Sequence, residues 1–132
     1  MKSTCHDHCV LCGPFHPGSW RLSFAQAGDG EVHTTFIAGS ELQGYENILH
    51  GGVIASLLDA AMTHCLLHQG IQAVTGDLRI RYYHPVACQV PLVLRARMLF
   101  SCPPLYHLAA EIVYKDLLQA KGEGKFMRRE QV

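Results

Sequence analysis

The rhythm of apolar and polar positions changes twice along this chain. In WRLSFAQA (residues 20–27), Trp20, Leu22 and Phe24 alternate with Arg21 and Ser23. That period of two is the mark of a half-buried strand. The turn GDG at 28–30 follows, and EVHTTFIA at 31–38 reads as the returning arm of a hairpin. After the loop GSELQGYENIL the pattern becomes almost continuously apolar, which predicts one long helix starting near Gly51 or Gly52 and ending by Gly70. Alternation then returns. AVTGDLRIRYYHPV sets Leu78, Ile80 and Tyr82 against Arg79 and Arg81 and stops at Pro85. PLVLRARMLFS, LYHLAAEIVYK and LLQAKGEGKFMRR read as three further strands, the last with a bulge or bend at Gly122 or Gly124.

The predicted order is two strands, a helix, then four strands. Short turns between consecutive strands make them antiparallel. The fold class is therefore α+β, with one long central helix wrapped by a curved antiparallel sheet of five to six strands. A helix that is apolar on nearly all sides must be covered on nearly all sides. The part that the sheet leaves bare calls for a second copy of the chain.

Composition narrows the partners. With 132 residues, 48% hydrophobic and 17% charged, the chain suits one globular domain. Lys plus Arg equals Asp plus Glu at 11 each, so nothing points to nucleic acid or a membrane surface. The run Val53–Leu67 carries Asp59 and His64 and is too short to span a bilayer. The start MKSTCHDHCVLCG lacks the apolar core of a signal peptide, so a cytoplasmic protein is expected. Residues 1–18 read as an irregular Cys/His-rich lead-in and 19–132 as the domain. The cysteines at 5, 9, 12, 65, 88 and 102 are expected to stay reduced. Cys5, Cys9 and Cys12, flanked by His6, His8 and His16, have a spacing that zinc sites use. A second CxxC pair is absent, so the expectation is a turn-rich segment with no metal, and no cofactor is called for elsewhere.

One residue interrupts the apolar helix. Between Glu46 and Asp77, Asp59 is the sole Asp, Glu, Lys or Arg. On a helical wheel it lies with Ala55, Ser56, Met62 and Thr63, opposite Ile54, Leu57, Leu58, Ala61 and Cys65. It is either a solvent-facing acid, a buried acid satisfied by Thr63, Ser56 or a partner chain, or a tuned acid or base. The small side chains around it leave room for a ligand. At the helix start, HGG (50–52) places bare backbone N–H groups at the positive end of the helix dipole. This suits a carbonyl oxygen that gains charge in acyl transfer, although His50 as a simple cap on a flexible turn fits the same letters. Gly51 and Asp59 are roughly 12 Å apart along the axis. If both serve one reaction, they come from different subunits.

QGYENILHGGVIASLLDAAM followed by VTGDLRIRYYHPV resembles the hotdog-fold thioesterases of the PaaI-like group, and the leading CVLCGPFHPGSWRLSF resembles a lead-in seen in many of them. The resemblance covers the whole chain. It implies a homodimer or dimer of dimers acting on an acyl-CoA thioester. Asp59 would be general base or nucleophile, the Gly51 N–H would polarise the carbonyl, His50 would support the loop, and Thr75 would assist the water or the acid. Many relatives carry an Asn six residues before the His. Here that position is Gly44, and Gln43 or Asn47 is the substitute, with Gln43 preferred. Gly52 and Thr63 join Asn47 as expected substrate contacts. Arg79 and Arg81, with Lys121 and Lys125 behind them, are candidates for the CoA phosphates.

Other chemistry is weaker. His64 and His68 have helical metal spacing but no third ligand in sequence. Cys65 falls on the aliphatic stripe, and Ser56 has no histidine base. A hotdog hydratase or dehydratase would need a His/Asp or His/Glu arrangement that is absent here. A non-catalytic acyl-CoA binder is the alternative from another class.

Overall fold

The structure is a computed structural model and describes residues 5–129. Six strands and one long helix occur in the expected order: β1 (Ala25–Gln26), β2 (Glu31–Ile37), α1 (Gly51–Leu67), β3 (Ala73–Tyr82), β4 (Pro91–Cys102), β5 (Leu105–Tyr114) and β6 (Leu117–Arg128). The strands form one antiparallel sheet in the order β1-β2-β4-β5-β6-β3. The three hairpin-linked strands β4, β5 and β6 make its centre. β3 folds back to the outer side of β6, so a ten-residue strand forms one edge of the sheet.

The helix lies on the concave face. Leu57, Leu58, Ala61, Met62, Cys65 and Leu66 are fully buried, facing Leu92, Leu94, Leu108, Ile112 and Phe126 of the sheet. Each such aliphatic side chain contributes about 1.5–3 kcal/mol on leaving water. Gly70 ends the helix as expected: its φ is +75°, its N–H donates to the Leu67 carbonyl, and the Ile71 N–H donates to that of Leu66. Those two bonds form a Schellman cap. No helix among the described residues is long and apolar enough to cross a membrane.

Two local expectations need correcting. The first strand is far shorter than residues 20–27. Leu22 and Phe24 are buried as the alternation requires. However, the Trp20 and Leu22 N–H groups donate to Val10 and Leu11 in the lead-in rather than to the sheet, and Arg21 is left-handed at φ 55°. Apolar alternation reports burial; here a loop, and not a strand, supplies the backbone partners.

The second correction concerns the bulge. Gly122 and Gly124 sit in unbroken register with β3, opposite Ile80 and Leu78. They make room for the helix instead. A Cβ on Gly122 would come within 3.3 Å of the Leu58 side chain, and one on Gly124 within 3.2 Å of Met62. The bulge of this edge lies in β3 itself, where Thr75 pairs with Phe126 and Asp77 with Lys125, leaving Gly76 as the extra residue.

Candidate active site

The Gly76 bulge decides where Thr75 points. Side chains alternate along a strand, and Leu78 and Ile80 pack inward on the core. Unbroken alternation would turn Thr75 outward with Asp77, Arg79 and Arg81. The extra residue resets the alternation, and the Thr75 hydroxyl donates a 2.7 Å hydrogen bond to Oδ1 of Asp59. Asp59 is half-buried on α1. Burial raises its carboxyl above the ordinary aspartate value, and the Thr75 hydrogen bond pulls the other way. Among the described residues no cation forms an ion pair with it. The result is a carboxylate held in a fixed rotamer and more basic than usual. Ser56, offered by the sequence as a partner, instead donates to the Gly52 carbonyl. Thr63 stands half-buried one turn further along the helix.

At the other end of the helix the two glycines differ. His50 is the N-cap, and its Nδ1 accepts the Gly52 N–H at 2.8 Å. That bond puts the ring proton on Nε2. The His50 carbonyl accepts from Val53 and Ile54. The Gly51 N–H has no acceptor among the described residues. The capping geometry thus leaves Gly51 as the N–H donor at the helix start. Beside it is a cavity of about 380 Å³ lined by Gly44, Tyr45, Ile48, Leu49, His50 and Gly51.

Tyr82 is a residue of this end that the sequence reading missed. Its hydroxyl donates to the Gly51 carbonyl at 2.8 Å, and its ring lies 3.6–3.8 Å from where a Gly51 Cβ would be. The signal was available: Tyr82 continues the inward Leu78–Ile80 series and has a polar tip that seeks a partner.

The preceding loop is self-braced. Gln43 Oε1 accepts the Asn47 N–H at 3.1 Å, and Asn47 is left-handed at φ 61°. The His50 N–H donates to Leu42, and the Leu49 N–H to Val86. Gly44 rests on the His50 ring: a Cβ there would be 3.5 Å from its Cδ2. Both amides named in the sequence therefore belong to the loop that carries His50, and among the described residues the Gln43 NH₂ group has no acceptor.

Within one chain the structure brings Asp59 and Thr75 together, and His50, Gly51, Gly52, Gln43 and Asn47 together, as two separate groups. Arg79 and Arg81 join neither. They are exposed on the outward face of β3, paired in register with Glu123 and Lys121, while Lys125 pairs with Asp77. Cys65 donates to the Gly30 carbonyl, and burial pushes its thiol up to about 11, which keeps it protonated and unreactive.

Residues 46–100 match the thioesterase superfamily. A mouse (Mus musculus) protein, acyl-coenzyme A thioesterase THEM4, is 32% identical over 63 residues, which cover 48% of this chain and 27% of that protein. A solved structure of a thioesterase superfamily protein superposes with a TM-score of 0.85 at 26% identity, over 92% of this chain and 63% of that one. The E. coli PaaI protein of the phenylacetic acid degradation operon shares the fold, with a TM-score of 0.75 at 22% identity over 82% of this chain and 79% of that one. The chain thus spans about a quarter of the curated relative and under two thirds of the first of these structures. The chain therefore has the hotdog fold of these solved structures, and its loop, helix and two following strands resemble the thioesterase superfamily.

Proposed function

We propose that the chain is an acyl-CoA thioesterase, working as a homodimer or a dimer of dimers in which each site is shared between two subunits. The observation that carries this reading is the Thr75–Asp59 pair: a lone, half-buried, basic-shifted carboxylate fixed by a hydroxyl. A water attacks the thioester carbonyl carbon and gives its proton to Asp59. The carbonyl oxygen takes the developing charge toward the Gly51 N–H of the other subunit. The C–S bond then breaks, and the proton passes to the departing thiolate. Attack by Asp59 itself, followed by hydrolysis of the anhydride, uses the same atoms. A raised carboxyl favours the base role at neutral pH.

The division of the site into two groups supports the shared arrangement. Asp59 and Gly51 are eight residues apart on one helix, roughly 12 Å by the rise per residue. β3, which carries Thr75, is a free sheet edge of ten residues. Such an edge pairs readily with another strand. Pairing with the β3 of a second copy would continue the sheet and close the bare side of the helix. His50 then holds the donor loop, the Gln43 amide positions water, and Asn47, Gly52 and Thr63 contact substrate. Arg79 and Arg81 reach a CoA phosphate where the nucleotide end runs over the outer face of the sheet.

Release of free CoA thiol across short, long and aromatic acyl-CoAs tests the activity. Turnover is expected with at least one class and lost in Asp59→Asn with acyl-CoA binding retained. Near-normal turnover by that variant would overturn the assignment. Oxygen-18 incorporation into the enzyme in a single turnover separates nucleophile from base.

A further inference from the structure

Another constellation lies at the far end of the helix, in the lead-in. The chain from His6 to Gly13 is folded into a tight turn: the Cys9 N–H donates to the His6 carbonyl at 3.0 Å, and the Gly13 N–H to that of Cys9 at 2.8 Å. A Cβ on Gly13 would meet backbone atoms of Cys9, Asp7 and His6 at 2.4–2.7 Å, so only glycine closes this turn. Inside it, one ligating atom each from His6, Cys9 and Cys12 lies within 4.8 Å of the others. Nδ1 of His6 and Sγ of Cys12 are 3.4 Å apart. At ordinary zinc–nitrogen and zinc–sulfur distances, a tetrahedral ion sets such a pair about 3.5 Å apart. The Leu11 N–H donates to Cys9 Sγ at 3.4 Å, the kind of bond that stabilises a thiolate already bound to metal.

A second observation comes from the helix. His64 sits under this turn, its ring 6.1 Å from that of His6 and stacked on Phe24 at 4.9 Å. Its Nε2 is the sole buried side-chain nitrogen or oxygen among the described residues without a hydrogen-bond partner. Between these groups is a cavity of about 510 Å³ whose lining includes His6, Cys12, His64 and His68.

We infer that the lead-in is a zinc site, with His6, Cys9 and Cys12 as three of the four ligands and the fourth corner open to the cavity, where water completes the tetrahedron. Two thiolates and an imidazole are a soft set that selects zinc over magnesium or calcium. The ion would lock the turn over His64 and so fasten the lead-in to the helix. This site is independent of the thioesterase reading, and its test does not use turnover.

The full chain, expressed with added zinc and purified under reducing conditions, is assayed for bound metal and then exchanged with cobalt(II). The expected result is stoichiometric zinc and a cobalt spectrum with thiolate charge-transfer and tetrahedral ligand-field bands. Cys9→Ser, Cys12→Ser and His6→Asn should each weaken zinc by more than the ~10–100-fold typical of lost outer contacts. Circular dichroism on each variant confirms that the sheet and helix persist. Chelation should lower the melting temperature of the parent and leave that of Cys12→Ser unchanged. The inference is overturned if the reduced protein neither retains nor takes up zinc, or if Cys12→Ser binds it as tightly as the parent.

Discussion

The two ends of α1 are finished in opposite ways. At the N-terminal end the helix opens with bare glycines, a histidine cap and the half-exposed ring of Tyr82, and the Gly51 N–H has no acceptor among the described residues. At the C-terminal end Cys65 and Leu66 are fully buried, His64 is covered by Phe24 and His6, and the lead-in lies on top. One end is built around unspent hydrogen-bonding capacity and the other around closure. Asp59 stands between them, half-buried and without an ion-pair partner among the described residues. The difference teaches that a helix apolar in sequence can serve as core at one end and as the platform of a site at the other. Changes near the open end should alter rates with little effect on stability, and changes at the closed end should do the reverse.

Asp59→Asn should produce the largest effect, a loss of about 10²–10⁴-fold in kcat for the proposed thioesterase reaction. Its stability at neutral pH should hold or rise. Because folding raises this carboxyl, the folded state is favoured while the group is protonated, and that advantage fades as pH climbs through the raised value. Melting curves at acid and neutral pH, run beside the kinetics, check both halves. At the closed end, Phe24→Ala should cost about 3–5 kcal/mol in denaturant unfolding and leave kcat of the surviving folded protein within a few-fold. If turnover fell in proportion, the two ends would not be separable.

Gly122→Ala pushes a methyl against Ile80 and Leu58. A cost of about 1–3 kcal/mol is expected, read as a lower midpoint in urea with an unchanged slope. Thr75→Ala should lower kcat roughly tenfold, about 1.4 kcal/mol. It removes the bond that restrains the Asp59 shift, so the acid limb of the pH–rate profile should move to higher pH, and Thr75→Ser should restore it. A limb that stayed in place would separate Thr75 from the titrating group. Tyr82→Phe is the mildest. Loss of one hydrogen bond to the Gly51 carbonyl, about 0.5–1.5 kcal/mol, should appear as a few-fold drop in kcat and a fall of only a few degrees in melting temperature.

Much of this was legible in the letters. The helix boundaries follow from His50–Gly51 and Gly70, and β2 to β6 from alternation, because burial on one face writes itself into sequence as period. Asp59 stood out because no other charge lies near it. The segment after the lead-in was opaque for a physical reason: Trp20, Leu22 and Phe24 alternate as a strand would, yet the Trp20 and Leu22 N–H groups donate to residues 10 and 11. Which glycine spends its N–H on His50 depends on a cap geometry that composition does not encode. The contact from Tyr82 to Gly51 joins residues 31 apart and depends on the strand order, with β3 folded back outside β6. The gathering of His6, Cys9 and Cys12 depends on the Gly13 turn, which spacing alone left open.

The single extra residue at Gly76 makes the site a matter of odd and even counting. Deleting Gly76 would give the strand regular pairing and keep the Thr75 hydroxyl on the Asp59 side, because Thr75 would then directly precede the outward Asp77. Drawing residue 76 into the ladder as an ordinary strand residue would instead turn that hydroxyl to the far side of the sheet. Pairing therefore matters more than length here, and a change at Gly76 that favours regular strand is a silent way to disarm the carboxylate without touching it.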